Sequence, residues 1–368
     1  MKIPFFNYPS LYTLQKERID KVINDVVSRG AYILQKDLED FESALAQYCN
    51  VKYAIGVANG TDAIWLSLMA AGIGLGDEVI VPSHTYVASP ASIKFVGASP
   101  VLVECGYDNM MDVTSIENAI TKNTKAIMPV QLNGRTCNMD VIGDIAEKNN
   151  LVIIEDAAQG LGSLFNGKMA GTFGLAGTYS FYPAKVLGCY GDGGAVITNN
   201  KQIAEKIMLL RDHGRDENGE FKSWGFNSRL DNLQAAILLE KFKSFNEDIE
   251  RRRTIAKIYN NEINVGNNVT LPPGPTDEGL YFDTYQNYEL RAQKRDELKS
   301  YLSENGIGTI IQWGGKAIHQ EPNLGLTHFN LPYTDKFFEE CLMLPMNTSL
   351  TDDEALYITK KINSFYNE

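Results

Sequence analysis

The chain has 368 residues, with 34 Lys and Arg against 46 Asp and Glu, a formal net charge of −12, and 44% hydrophobic against 22% charged residues. Such a composition belongs to a folded globular protein, excludes wholesale disorder, and at this length predicts about two or three domains. The negative balance excludes a surface built for nucleic acid or anionic membranes, so an anionic ligand must be met by local donors.

From Val51 to Thr198, apolar runs alternate with helix-like segments. Strands are predicted at 53–58, 78–81, 100–104, 125–130 and 151–155, with helices between them at 61–71, 88–95, 114–120 and 139–149. Alternation with continuously apolar strands predicts an α/β fold, a parallel sheet covered by helices on both faces. The pattern breaks after Asp156. Asn166-Gly167 signals a hairpin, and strands follow at 178–181 and 195–198. Helices are predicted at 231–242 and 247–261, followed by a polar stretch at 267–279 that reads as a domain junction. Beyond it come a strand at 285–290, a helix at 292–305, a strand at 308–311 and a closing helix at 352–363. We therefore expect a large unit over residues 1–250 and a smaller α+β unit over 251–368.

Ligands on open α/β sheets collect beyond the carboxyl ends of the strands, and three such ends carry chemistry. Asn59-Gly60-Thr61-Asp62 opens directly into a helix, whose first amides and the missing Cβ of Gly60 would cradle a phosphate. The same residues also read as an ordinary helix cap. Asp156 closes a buried strand, where an acid must be paired or hydrogen-bonded. It reads as the partner of a cationic ring nitrogen, as a metal ligand or as a cap; no cluster of His or carboxylates nearby completes a metal set. Lys185 follows a strand among apolar and aromatic neighbours, the desolvated setting that makes a lysine amine a nucleophile. Ser180, just before it, adds a hydroxyl for phosphate. Two other glycine-rich segments fail as phosphate sites. Residues 162–169 match a P-loop except that Met169 replaces the required Ser or Thr, and Gly72 to Gly76 follow a helix and precede a strand, the reverse of a dinucleotide site. Cradle, acid and lysine on adjacent crossovers together meet the needs of pyridoxal phosphate, which has one phosphate, one pyridine nitrogen and one aldehyde that forms a Schiff base.

In chain order, Asn59-Gly-Thr-Asp-Ala63, Glu155-Asp-Ala-Ala-Gln159, Ser180-Phe-Tyr-Pro-Ala-Lys185 and Gly225-Phe-Asn-Ser-Arg-Leu-Asp231 resemble the motifs of the fold-type I nucleotide-sugar aminotransferases, the DegT/DnrJ group. The resemblance spans nearly the whole chain. It implies a large, mostly parallel sheet domain with helices on both faces and a smaller C-terminal α+β domain. It further implies that Lys185 forms the Schiff base with pyridoxal 5′-phosphate, Asp156 pairs with the pyridinium nitrogen, Gln159 meets the phenolic oxygen and Tyr86 stacks on the ring. Gly60, Thr61 and Ser180 would hold the phosphate together with Asn227 of the partner subunit, which makes a homodimer with shared active sites. L-Glutamate would be the donor, giving pyridoxamine 5′-phosphate, and a nucleotide-linked keto-sugar the acceptor. Lys185 would then move the proton as general acid and base. Relatives with His at this position dehydrate instead, so Lys185 implies transamination.

The segment from Lys185 to Gly194 resembles members that aminate sugar C3. A dTDP-3-keto-6-deoxyhexose is therefore the leading acceptor, giving a dTDP-3-amino-3,6-dideoxyhexose. The alternatives are a UDP-3-keto uronate, a 4-keto-sugar or a cyclitol as acceptor, then a sugar dehydratase or a regulatory protein that binds the same cofactor. Gln131-Leu-Asn-Gly134 and residues 312–319 depart from the family pattern and are expected to line the acceptor pocket. Tyr32, Tyr182, Arg229, Lys316 and His319 are the substrate residues expected there, with Lys316 and Arg229 on the nucleotide diphosphate. His84 reads as structural, and Arg211 and His213 are given no role. Cys49, Cys105, Cys137, Cys189 and Cys341 are odd in number and form no C-x-x-C pair, which predicts reduced thiols. With no secretory leader and no run near the roughly 20 apolar residues of a membrane helix, the expectation is a cytoplasmic protein.

Overall fold

The computed structural model describes residues 2–276 and 278–367. Short runs of apolar residues make its strands: β1 (Tyr53–Val57), β2 (Glu78–Pro82), β3 (Ser99–Val103), β4 (Thr124–Ile127) and β5 (Val152–Asp156). A hairpin follows, β6 (Leu164–Phe165) and β7 (Lys168–Met169), turning on Asn166 and Gly167, both at positive φ as a two-residue turn requires. Then come β8 (Ala176–Ser180) and β9 (Gly194–Thr198). Seven strands form one sheet in the order β1-β9-β8-β5-β4-β2-β3. Its pairs are parallel except where β9 runs against both β1 and β8. All of β9 is buried, as is β1 beyond its first residue, so helices must cover both faces.

One face carries the larger apolar cluster, with Val79, Ile80, Ile127 and Ile154 beneath the helices Gly60–Ala70, Ala88–Phe95 and Met139–Lys148. The other is closed by the helices Lys36–Cys49 and Asn232–Phe242, through Leu38, Phe41, Leu45 and Leu238. The helix Tyr8–Arg29 had no sequence expectation; it buries only Ile19 and Val26, too sparse a stripe to read. Lys36–Cys49, also outside the expected helices, buries a regular stripe of Leu38, Phe41, Leu45 and Cys49.

The C-terminal unit holds an antiparallel sheet, β10 (Val269–Thr270), β12 (Tyr288–Ala292) and β13 (Cys341–Leu344), under the helices Arg295–Glu304 and Asp352–Asn367; β11 (Tyr281–Phe282) joins the β6–β7 hairpin instead. The two cores meet inside the helix Phe245–Glu262, whose Phe245 and Ile249 belong to the large one and Ile255, Ala256 and Tyr259 to the small one. The chain thus changes unit along a helix rather than at 267–279, and its N-terminus returns to the small unit, where Ile3 pairs with Ile307. The strand expected at 308–311 is reduced to one bridge, Ile310 to Met343. The strand expected at 285–290 starts later, at Tyr288, because Tyr285 sits at φ 50° and turns Gln286 and Asn287 toward the large unit. Among the described residues, no helix is long and apolar enough to cross a membrane, and the five cysteines are buried and unpaired.

Candidate active site

The carboxyl ends of β1, β5 and β8 meet at one edge of the sheet: Val57 and Ser180 both pair with Gly194, and Asp156 pairs with Thr178. They open into a cleft of about 680 Å3. Its walls include Gly60, Thr61 and Ser180 at one end, Asp156 and Lys185 on the floor, and Tyr86, Gln159 and Tyr182 at the sides.

At the first end, the Asn59 side chain accepts from the Asp62 N–H at 2.8 Å, and the Asn59 carbonyl accepts from the Ala63 N–H at 3.1 Å. Helix geometry leaves the Gly60 and Thr61 amides to an outside acceptor, and the helix dipole favours an anion there. One short turn therefore serves as cap and cradle together. Two glycines make room for it. A Cβ on Gly60 would stand 2.8 Å from the Ser180 Cβ, and one on Gly194 would stand 2.4 Å from the Asn59 carbonyl carbon.

On the floor, Asp156 is 5% exposed. Ser89 Oγ donates to its Oδ2 at 2.6 Å and the Ala158 N–H donates to Oδ1 at 3.1 Å. Burial pushes its carboxyl above the usual carboxylate range, opposed by these donors and by Lys185. Burial also pushes the Lys185 amine down to about 8, against the pull of Asp156. Burial thus favours the neutral form of the amine, the form that can act as a nucleophile.

Tyr86 is 56% exposed, with its ring 6.4 Å from that of Trp313. The Gln159 side-chain oxygen accepts from the Asn133 N–H at 2.8 Å. Sequence reasoning missed Ser89, which lies buried three residues beyond Tyr86 in the helix Ala88–Phe95, and Trp313, which is held at φ 47° and lines the cleft from the small unit.

Other expected residues lie outside this chain's cleft. Tyr32 and Asn227 are exposed. Arg229 donates from Nη1 to Asp212 Oδ1 at 2.8 Å, in an ion pair that also takes in Arg215. Lys316 is exposed, but His319 is 4% exposed and engaged at both ring nitrogens, with Ser83 Oγ and Asp335 Oδ1, each at 2.8 Å. His319 therefore pins residues 312–319 to the large unit and is not turned to a ligand. Gln131 is likewise fully buried: its Nε2 donates to Glu155 Oε2 at 2.7 Å and its Oε1 accepts from the Cys137 N–H at 2.7 Å. Of the two segments expected to line the acceptor pocket, only Leu132 and Trp313 reach the cleft. Arg211 ties Glu42 to the Gly56 carbonyl, and His84 packs between Trp313, Phe337 and Phe338. Among the described residues, no group of His, Cys, Asp and Glu could hold a metal ion.

Two free amides beside a hydroxyl, a buried acid and a desolvated amine match in kind and order the phosphate, ring nitrogen and aldehyde of pyridoxal 5′-phosphate. Known proteins agree. A Geobacillus stearothermophilus protein named a pleiotropic regulatory protein is 40% identical over 100% of this chain and 99% of its own. The dTDP-3-amino-3,6-dideoxy-alpha-D-galactopyranose transaminase of Aneurinibacillus thermoaerophilus is 40% identical over 99% of each chain. The crystal structure of S. venezuelae DesV, in complex with a ketimine intermediate, superposes with a TM-score of 0.95 at 35% identity, covering 100% of this chain and 99% of that one. Residues 13–363 match the DegT/DnrJ/EryC1/StrS aminotransferase family, whose members use pyridoxal 5′-phosphate, and the chain belongs to that family.

Proposed function

We propose that this sugar aminotransferase moves the amino group of L-glutamate to C3 of a dTDP-linked 3-keto-6-deoxyhexose, yielding a dTDP-3-amino-3,6-dideoxyhexose. The observation that carries the choice of acceptor is end-to-end identity of 40% with a relative named for such a product. When bound, the cofactor supplies an aldehyde that takes up the amino group and a ring that holds the electrons released at the substrate carbon.

The protein's own residues do the rest. Asp156, held by Ser89 and the Ala158 amide, keeps a negative charge where the ring nitrogen must stay protonated. Gly60, Thr61 and Ser180 anchor the phosphate, and Tyr86 covers the ring face. Lys185, once its nitrogen is released, takes the proton from one carbon and returns it to the other. Tyr182 and Trp313 line the cleft, and the exposed Lys316, three residues beyond Trp313, would offer a cation to the diphosphate in an otherwise acidic protein.

The active unit in this reading is a homodimer in the cytoplasm. Asn227 lies outside its own cleft, while its neighbour Ser228 is tied back to Asp62 by a 2.6 Å hydrogen bond. Trp224, 96% exposed, and Phe221, 74% exposed, lie on the same loop and supply apolar surface for a second copy. Tyr32, Asn227 and Arg229 would then complete the neighbouring site.

The test is a panel of dTDP- and UDP-linked 3-keto and 4-keto sugars and a keto-inositol, each with L-glutamate, read by mass spectrometry of the aminated product. Highest kcat/KM on the dTDP-3-keto sugar supports the proposal; a preference for a UDP-uronate, a 4-keto sugar or a cyclitol replaces it. Turnover without stoichiometric loss of glutamate would point to dehydration. For the dimer, mixing Lys185→Ala chains with Asn227→Ala chains should restore activity, since one of the two shared sites is then intact.

A further inference from the structure

Behind the cleft, the small unit reaches into the large one through residues 284–289, and its side chains meet the backbone on either side of Lys185. Gln286 is 6% exposed; its Nε2 donates to the Ala184 carbonyl at 2.8 Å and its Oε1 accepts from the Val186 N–H at 2.8 Å. A carbonyl can only accept and an amide N–H can only donate, so this orientation of the Gln286 amide is unambiguous. One side chain therefore brackets the catalytic lysine.

The next residue does the same for Gln159. Asn287 Nδ2 donates to Asn133 Oδ1 at 2.8 Å and to Gln159 Oε1 at 3.3 Å. The Asn133 N–H donates to that same oxygen at 2.8 Å. Since the backbone donor fixes Oε1, the Gln159 NH2 is the end left for the cleft. Asn133 is in turn held by Glu289 on β12, whose Oε2 accepts from Asn133 Nδ2 at 2.7 Å. Arg252, 8% exposed, fixes the segment from the other side by donating to the Tyr285 and Gln286 carbonyls at 3.2 and 3.0 Å. Close approach is built in at Gly134, where a Cβ would stand 2.5 Å from the Tyr285 nitrogen.

We propose that Gln286 and Asn287 are positioning residues of the transamination: Gln286 holds the Lys185 backbone, and Asn287, with Asn133, turns the Gln159 NH2 toward the cofactor. The proposal rests on the reading that Gln159 meets the ring's phenolic oxygen. A donor there stabilises the phenolate and lowers the proton affinity of the adjacent lysine–cofactor nitrogen; losing the donor, or its orientation, raises it. The small unit thereby sets the protonation state of a nitrogen it never touches.

The experiment is a pH titration of the visible absorbance of cofactor-loaded enzyme, comparing wild type with Gln159→Ala, Asn287→Leu and Asn133→Gly. Asn133 sits at φ 56°, so glycine fits there and keeps the backbone donor while deleting the side-chain acceptor. That variant serves if Asn287→Leu does not fold. Gln159→Ala and Asn287→Leu should both raise the apparent proton affinity, Asn287→Leu by about threefold to tenfold and Asn133→Gly by less. A shift in Gln159→Ala with none in the other two overturns the positioning role alone. No shift in Gln159→Ala overturns the ring-oxygen contact and the positioning role with it. For Gln286, replacement by Leu should slow growth of the visible band on adding pyridoxal phosphate about tenfold. Binding of pyridoxine 5′-phosphate, which lacks the aldehyde, should stay unchanged. Equal slowing and weakening, or neither, would contradict a specific hold on Lys185.

Discussion

The two sides of the cleft are built differently. On the large-unit side, each reactive group sits within a few residues of a strand end, in a turn that a short motif specifies: Asn59 to Asp62, Asp156 to Gln159, Ser180 to Lys185. On the small-unit side, Gln286, Asn287 and Glu289 act across a hundred residues of sequence or more, by hydrogen bonds to partners that no local pattern announces, and Trp313 acts by ring contacts with His84 and Tyr86. In the proposed mechanism, one side would supply reactivity and the other orientation. Breaking the first should cost far more than breaking the second.

The largest effect belongs to Lys185→Ala. Removing the amine removes both the covalent link and the proton carrier, so turnover should fall by at least about 10³-fold while the circular-dichroism spectrum is unchanged. Asp156→Ala should follow, with kcat lower by about 10²-fold or more from loss of the buried charge. Ser89→Ala, which deletes one of its two donors, should act in the same direction by about tenfold. Gly60→Ala should weaken cofactor binding about tenfold, measured by equilibrium dialysis, because its Cβ must displace Ser180 by the cradle. Smaller again, Lys316→Ala should raise KM for the nucleotide sugar several-fold and leave kcat nearly unchanged, as expected of an exposed cation that binds ground and transition states alike.

Because burial sets the Lys185 amine at about 8 rather than 10.5, its rate of condensation with pyridoxal phosphate in the cofactor-free enzyme should rise with pH through a midpoint near 8. The sign follows from the neutral amine being the nucleophile. A midpoint above 10 would mean that the amine is solvated. Away from the cleft, Gln131→Leu removes one donor from the buried Glu155 and should cost about 1–3 kcal/mol of stability in denaturant unfolding, with kcat unaltered.

What could be read from the sequence divides along the same line. β1, β2 and β9 were legible because buried strands are mostly apolar runs, and the hairpin because Asn-Gly is nearly a geometric instruction. Asn59 to Thr61, Asp156 and Lys185 were legible because their chemistry is local to their turn. Gln131 was expected in the acceptor pocket because residues 131–134 depart from the family pattern; only the fold shows that Leu132 lines the cleft while Gln131 faces the buried Glu155. His319, expected in the pocket because residues 312–319 depart from the family pattern, is instead held between Ser83 and Asp335, partners that only the fold brings to it. Ser89 and Asn287 carried no signal at all. Their function depends on which acceptor the fold sets opposite them.

The assignment of Lys185 as the residue that binds the cofactor is tested by the absorbance spectrum of the purified, pyridoxal-phosphate-loaded protein before and after L-glutamate, and again after a keto-sugar nucleotide. The expected result is a visible band that moves to the near-ultraviolet with glutamate and returns with the acceptor, and that is missing in Lys185→Ala. A wild-type protein that forms no visible band with added cofactor, or one whose band persists in Lys185→Ala, would contradict it.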